Sequence, residues 1–232
     1  MSFIPLDFPR EVLHISTAGG LSGRKIVRSP SELEKYWEGK SGISNAYFTV
    51  YGYQETQPPK HHRVNYDTPI VHHFMMDFDC KDFKTGFDVP FNVPHEEVKR
   101  LHQYLLDENI EHYVWFSGGG IDVSRIKNAG RYLINQWDKK LNLRCNDPAV
   151  FFEFKRMIRI PNSYNAKRGV WMIPLNTEQI MNYTYDDFMK KGQEPHTGFI
   201  LHGNKPLELD VNERKIMSMG DIKQVDVPTV SL

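Results

Sequence analysis

Asp77 and Asp79 stand two residues apart in an apolar run, Met75-Met76-Asp77-Phe78-Asp79-Cys80, inside residues 72–80. The run reads as a strand. Side chains alternate along a strand, which predicts Phe74, Met76 and Phe78 on one face and the two carboxylates together on the other. Carboxylates so placed repel each other and are costly to desolvate unless a cation lies between them. A hard divalent ion that prefers oxygen ligands meets that need. A strand that ends in water, with both Asp solvated, meets it too, and a bare Asp-x-Asp does not separate the two.

Two further stretches carry chemistry. Residues 112–116 form a second apolar run that breaks at Ser117-Gly118-Gly119-Gly120. The series Val123, Ile126, Leu133, Ile134, Trp137 and Leu141 then predicts a long amphipathic helix. Glycines between a strand and a helix let the backbone approach a ligand, and their N–H groups with the positive helix end make an anion cradle. A plain tight turn has the same sequence. Downstream, Asp147 precedes an apolar run (Val150, Phe151, Phe152, Phe154), then Lys155, Arg156 and Arg159, a loop over 161–169, and a strand over 170–173. Arg159 could grip phosphate oxygens through its planar fork and Lys167 as a point charge. A solvated basic hairpin accounts for them equally.

Positioning these residues takes a mixed set of elements. Ser29-Pro30-Ser31-Glu32 predicts a helix start, with Ser29 as N-cap, Pro30 first in the helix and Glu32 closing a capping box, and the helix stops near Gly39. Residues 46–53 read as a strand, 57–67 as a loop carrying His61, His62 and Arg63, and 81–93 as a Gly- and Pro-containing loop. Residues 94–110 predict a helix with Val98, Leu101, Leu105 and Leu106 on one face, and His95 and His102 are expected to cover its surface. A last helix is expected over 177–191, capped near Asn176 or Thr177. Strand, helix, strand, turn, helix is an α/β or α+β order.

Bulk properties exclude several classes. The 29 basic and 29 acidic residues balance, so a polyanion partner must be held by a local patch rather than a net field. Cys80 and Cys145 are the two cysteines and have no Cys-x-x-Cys spacing, which excludes a disulfide framework and a Cys-based zinc site. Without a signal-like start or a long apolar run, the expectation is a soluble protein of the cytoplasm, or of the host cytoplasm if viral, with no membrane partner.

Taken in order, Phe-Met-Met-Asp77-Phe-Asp79, then Phe-Ser117-Gly-Gly-Gly-Ile-Asp122, then Asp147 ahead of Arg159-Ile-Pro161-Asn-Ser and Lys167-Arg-Gly169, resemble the archaeo-eukaryotic primase superfamily. That family includes primase catalytic subunits and viral, plasmid and CRISPR-associated primase-polymerases. The resemblance spans roughly residues 47–175. It implies an α+β primase-polymerase core with a mixed central sheet flanked by helices and an RRM-like half. It further implies a catalytic core over 1–175 and a helical or irregular extension over 176–232.

By the same resemblance, Asp77, Asp79 and Asp147 hold Mg²⁺ or Mn²⁺, with Glu153 the alternative third ligand. Ser117, Gly118, Gly119, Gly120, Asp122, Arg159, Asn165 and Lys167 map to the nucleotide site. The implied activity is metal-dependent nucleotidyl transfer, a DNA primase or polymerase using nucleoside triphosphates on a single-stranded DNA template and primer. A helicase or accessory domain is an implied partner. Lys155, Arg156, Arg168 and the His61–Arg63 loop are candidates for the template track. Where the family has a His that contacts the triphosphate, this chain has Asp122. That change is compatible with a lineage difference, in which Asn165 or Lys167 takes over the contact, with an inactivating change, or with a module that binds without efficient synthesis. A metal-dependent nuclease would use the same carboxylates.

Overall fold

The computed structural model describes residues 6–15, 20–38, 40, 45–57, 63–70, 75–118, 120–124, 131–150, 155–196 and 200–205. Its elements run in the order β1 (Arg10–Ile15), β2 (Leu21–Val27), α1 (Pro30–Glu38), β3 (Asn45–Thr49), β4 (Gly52–Tyr53), β5 (Pro69–Ile70), β6 (Met75–Asp79), α2 (Asn92–Asp107), β7 (Tyr113–Phe116), β8 (Gly120–Ser124), α3 (Arg131–Leu141), β9 (Met157–Arg159), β10 (Tyr164–Asn165), β11 (Val170–Trp171), β12 (Ile173–Pro174), α4 (Thr177–Asn182) and α5 (Tyr185–Lys191). The class is α+β, as the sequence implies. Two four-stranded sheets, β2-β1-β3-β9 and β12-β7-β8-β6, form its frame.

The expected mixed sheet is not what forms. Every pair of named strands in both sheets is antiparallel. The reason lies in β8. The connection β6-α2-β7 returns the chain in the same direction, as a strand–helix–strand unit must, but β8 inserts between the two strands and runs against both. The expected long helix is corrected by the same strand. Residues 120–124 pair with β6 and β7 instead, and the helix among the described residues is α3, from Arg131. Ile126 lies outside the described residues.

Both sheets pack against buried cores, and β7 is buried on both faces. Met76 and Phe78 of β6, Val114 and Phe116 of β7, Val98, Leu101 and Leu105 of α2, Ile134 and Trp137 of α3, Ile180 of α4 and Phe188 of α5 form one cluster. Val12, Val27, Ala46, Phe48 and Ile160 pack with Leu33, Tyr36 and Trp37 of α1 in another. Val50, Tyr51, Tyr53, Val64, Met75 and Val150 form a third, smaller one. The guanidinium of Arg10, buried completely, donates to the carbonyls of Asp7, Thr49 and Val50 and ties the start of β1 to the end of β3.

Local signals explain the starts of α1, α4 and α5. Ser29 Oγ accepts from the Glu32 N–H at 3.2 Å, while the Glu32 carboxylate reaches back to the Arg28 N–H rather than to Ser29. The expected single helix over 177–191 is two. Asn176 with Gln179 and Thr184 with Asp187 each make a full capping box, so a second helix starts where the first stops. Among the described residues no helix is long and apolar enough to cross a membrane.

The histidines expected on the surface of α2 are buried instead. His95 hydrogen-bonds the Ile180 carbonyl at 2.7 Å. His102 joins a chain in which the Ile110 carbonyl, which can only accept, fixes the hydrogen of His112 on Nδ1. His112 Nε2 then accepts from His102 Nδ1 at 2.8 Å, and Thr177 Oγ1 donates to His102 Nε2 at 3.2 Å. His202 stacks on His112 and donates to the Leu175 carbonyl, so the chain ties residues 200–205 to the core.

Burial, with smaller contributions from the neighbouring rings, lowers the pKa of His102 to about 3 and that of His112, despite its bond to Ile110, to about 4. Unfolded histidines near 6.5 take up protons first, so the stability these neutral rings contribute is present above pH 6.5 and lost as pH falls below it. Each ring is expected to cost about 2 kcal/mol at pH 5 relative to pH 7.5. Denaturant unfolding at the two pH values measures the loss, and ring resonances of His102 or His112 titrating near pH 6.5 in the folded protein would contradict it.

Candidate functional site

β6 does what the alternation requires. Met76 and Phe78 are buried on one face, and Asp77 and Asp79 are half-buried on the other. β6 is an edge strand of its sheet, with β8 on one side. Its other edge is covered by residues 145–147, where the Asp79 N–H donates to the Cys145 carbonyl at 3.0 Å and the Asp147 N–H to the Asp77 carbonyl at 2.7 Å. That pairing delivers Asp147. One carboxylate oxygen from each of Asp77, Asp79 and Asp147 lies within 4.8 Å of the other two.

This arrangement fits one cation. Two oxygens on opposite sides of a divalent ion are separated by twice the bond length, roughly 4–5 Å. Three hard oxygen donors without sulfur or nitrogen suit Mg²⁺, Mn²⁺ or Ca²⁺ over zinc or copper. The site carries surplus negative charge. Burial, then the Asp147 carboxylate, pushes the Asp79 carboxyl above the usual carboxylate range, against the pull of Arg156 and Lys81. Arg156 Nη2 sits 3.6 Å from Asp147 Oδ2 and 3.9 Å from Asp77 Oδ2.

Asp77 and Asp79 open on a cleft of about 420 Å³ lined also by Ser117, Arg156, Arg159, Asn165, Lys167 and Arg168, with Asn45, Tyr47 and others. Arg159 is held firmly there. Its guanidinium donates to Asn45 Oδ1 at 2.7 Å, to the Tyr164 carbonyl and Tyr47 hydroxyl at 3.3 Å, and lies 5.1 Å from the centre of the Tyr47 ring. Lys167 and Arg168 are exposed on the hairpin between β10 and β11. A larger depression of about 850 Å³ between α2 and the end of α3 has a mixed lining of Glu96, Arg100, Gln103, Asp107 and Lys140, without clustered carboxylates facing a basic loop.

The glycine turn joins β7 to β8 and does not open a helix, so the expected helix-end cradle is absent at this position. Gly118 has φ +91°, and a Cβ there would lie 2.7 Å from Val170 Cγ2 and 3.1 Å from Arg168 Cβ. Close approach to the basic hairpin therefore demands glycine. Asn165, nearly buried, fastens the two together by donating from Nδ2 to the Ser117 carbonyl at 2.7 Å. Gly120 pairs with Asp79 and Asp122 with Asp77 across the β6–β8 ladder, which sets Asp122 on the strand next to the one that carries Asp77 and Asp79. Gly119, Glu153, His61 and His62 lie outside the described residues. Arg63 is exposed.

Residues outside the sequence motifs hold the site from behind. Glu97 of α2, buried at 2 % exposure, accepts the N–H groups of both Arg144 and Cys145 at 2.9 Å. Asp138 of α3 accepts from Asn146 Nδ2 at 3.1 Å, and burial raises its pKa to about 6. The signal for Glu97 was present: it stands four residues before Leu101 and eight before Leu105, on the apolar stripe, where a carboxylate must have partners. Asn45 and Tyr47 gave no comparable signal.

No family model matches the chain, and no curated protein is significantly similar to it. Among solved structures, the chain is similar to the polymerase domain of Mycobacterium tuberculosis ligase D in complex with DNA, at TM-score 0.47 and 10% identity, over 82% of this chain and 73% of that one. So loose a likeness carries no argument about chemistry.

Replacing Glu97 by Ala strips a charged acceptor from two N–H groups in the segment that carries Asp147. Unfolding free energy is expected to fall by about 3 kcal/mol, and Glu97→Gln, which keeps an acceptor oxygen, by clearly less. Urea denaturation of both variants measures this, and equal losses would mean the acceptor oxygen is not what matters.

Proposed function

We propose that the chain is a metal-dependent nucleotidyltransferase of the primase-polymerase kind, extending or initiating a DNA strand on a single-stranded template from nucleoside triphosphates. The observation that carries this reading is the convergence of Asp77, Asp79 and Asp147, with oxygens within 4.8 Å of one another, the first two lining a cleft that also holds Arg156, Arg159, Lys167 and Arg168. Support also comes from the order of the motifs along residues 47–175. In this reading residues 1–175 are the catalytic unit and 176–232 an extension whose helices add Ile180 and Phe188 to its core.

Mg²⁺ or Mn²⁺ bound by the three carboxylates would lower the pKa of the attacking 3′-hydroxyl and neutralise charge on the departing pyrophosphate. The chain's own residues do the rest by position. Asp77 and Asp79 project from a strand fixed on both edges, so the ligands need little reorganisation. Arg159, tied down by Asn45, Tyr164 and Tyr47, offers a preset guanidinium for phosphate oxygens. Lys167 and Arg168, exposed beside it, add charge that can follow a flexible triphosphate. Gly118 keeps the turn close enough to the basic hairpin for both to border one ligand. No protein nucleophile is needed.

Asp122, at the position where the family has a His, favours one second reading: a module of the same fold that binds nucleotide or nucleic acid with little synthesis, because a carboxylate in place of that His weakens triphosphate binding. A labelled primer-template incubated with Mn²⁺ and nucleoside triphosphates decides. Longer products are expected, and Asp77→Ala, Asp79→Ala or Asp147→Ala should each lower extension by at least about a thousandfold, the scale on which catalytic charge stabilisation is lost. Binding without product supports the second reading, shortened products identify a nuclease, and full extension by all three variants removes the metal site from the reaction.

A further inference from the structure

Arg156 is the cation nearest the three carboxylates for which the distances are known: Nη2 lies within 4 Å of Asp147 and of Asp77, and 33 % of the side chain is accessible. We infer that Arg156 is a built-in counter-ion that occupies the charge position of the divalent metal and competes with it, so that metal binding requires the guanidinium to give way. The inference rests on the reading of Asp77, Asp79 and Asp147 as metal ligands.

The contrast with Arg159 carries it. Arg159 has three hydrogen-bond acceptors, Asn45 Oδ1, the Tyr164 carbonyl and the Tyr47 hydroxyl, and a ring beneath it. Those contacts fix its guanidinium in one place. Arg156 is held to the acids by separations of 3.6 and 3.9 Å, which are ion pairs too long for good hydrogen bonds. A guanidinium bound by charge alone is the group a stronger, more compact charge displaces. The side chains of Asp77 and Asp147 keep only 20 % and 13 % of their accessible surface, so solvent screens the competition poorly. Displacement costs the backbone nothing. The Arg156 carbonyl still accepts from the Val50 N–H at 3.0 Å, and the side chain has the cleft with Lys167 and Arg168 to turn into. The metal-free site is thereby kept from drawing adventitious cations, at the expense of affinity for its own.

Mn²⁺ binding to the whole protein, followed by the electron paramagnetic resonance signal of the free ion without nucleotide, tests this. Arg156→Gln is expected to tighten the Mn²⁺ dissociation constant roughly tenfold, since it removes a positive charge close to two ligands. Arg156→Lys keeps the charge and should stay within about threefold of the wild type. Unchanged or weaker binding in Arg156→Gln overturns the inference, because a residue that merely props the carboxylates in place would lower affinity when lost. Asp77→Asn separates the two levels. If it binds Mn²⁺ as the wild type does, the metal-site reading itself has failed. Binding lost in Asp77→Asn but unchanged in Arg156→Gln sinks the competition alone. No binding by the wild type or by Arg156→Gln removes both.

Discussion

Two backbone hydrogen bonds determine whether this molecule has a site at all. Asp77 and Asp79 come from one strand, but Asp147 arrives from a distant part of the chain and meets them because residues 145–147 lie along the free edge of β6. Electrostatics alone would keep the three apart. The repulsion is visible in the raised pKa of Asp79, to which Asp147 contributes after burial. Backbone pairing overrides it because the N–H and C=O groups at that edge need partners once they are removed from water. The segment is secured from behind as well, by Glu97 on the Arg144 and Cys145 amides and Asp138 on Asn146. Acidic residues thus act on both sides of one short segment. In front they are left with surplus charge, and behind they are used as hydrogen-bond acceptors.

How much of this could be read from residues alone depended on distance along the chain. The alternation in Met76-Asp77-Phe78-Asp79 encodes its two faces directly, and the caps at Ser29 and Asn176 encode helix starts within three or four residues. The glycine turn misled because Val123 satisfies both periods. Joined to Leu133, Ile134 and Trp137 it fits a helix, while joined to Ile121 it fits the strand that forms. Only the availability of two neighbours, β6 and β7, decides for the strand. His95 and His102 misled differently. With Val98 and Leu105 they lie along the buried stripe, and what makes them tolerable there is a carbonyl at residue 180 and a second histidine at 112, which no local pattern announces.

The hairpin at Ser117–Gly120 changes where positive charge must come from. A helix end would have supplied oriented amides, a fixed partial charge that needs no side chain. A link between two antiparallel strands supplies far less, and the cleft instead gathers Arg156, Arg159, Lys167 and Arg168. The glycine keeps its importance for another reason. At φ +91°, with the basic hairpin packed against its Cα, Gly118 sets how near that hairpin stands to the end of β7. Asn165 does the same work from the other side through the Ser117 carbonyl.

A cleft holding opposite charges must keep them from neutralising one another, or it has nothing left to offer a ligand. Arg159 is fixed in place: Asn45, Tyr47 and Tyr164 take three of its hydrogen bonds, and the cost of ordering a long side chain has been met on folding instead of on binding. Arg156 is not fixed in that way, and it is the arginine found among the acids. The two arginines, three residues apart around β9, therefore divide the electrostatic work. One holds a positive charge at a fixed place in the cleft, and the other cancels negative charge until something of higher charge density arrives. A ligand that brings both a divalent cation and a run of phosphate-like anions satisfies both halves at once, whereas either ion alone must work against one of them.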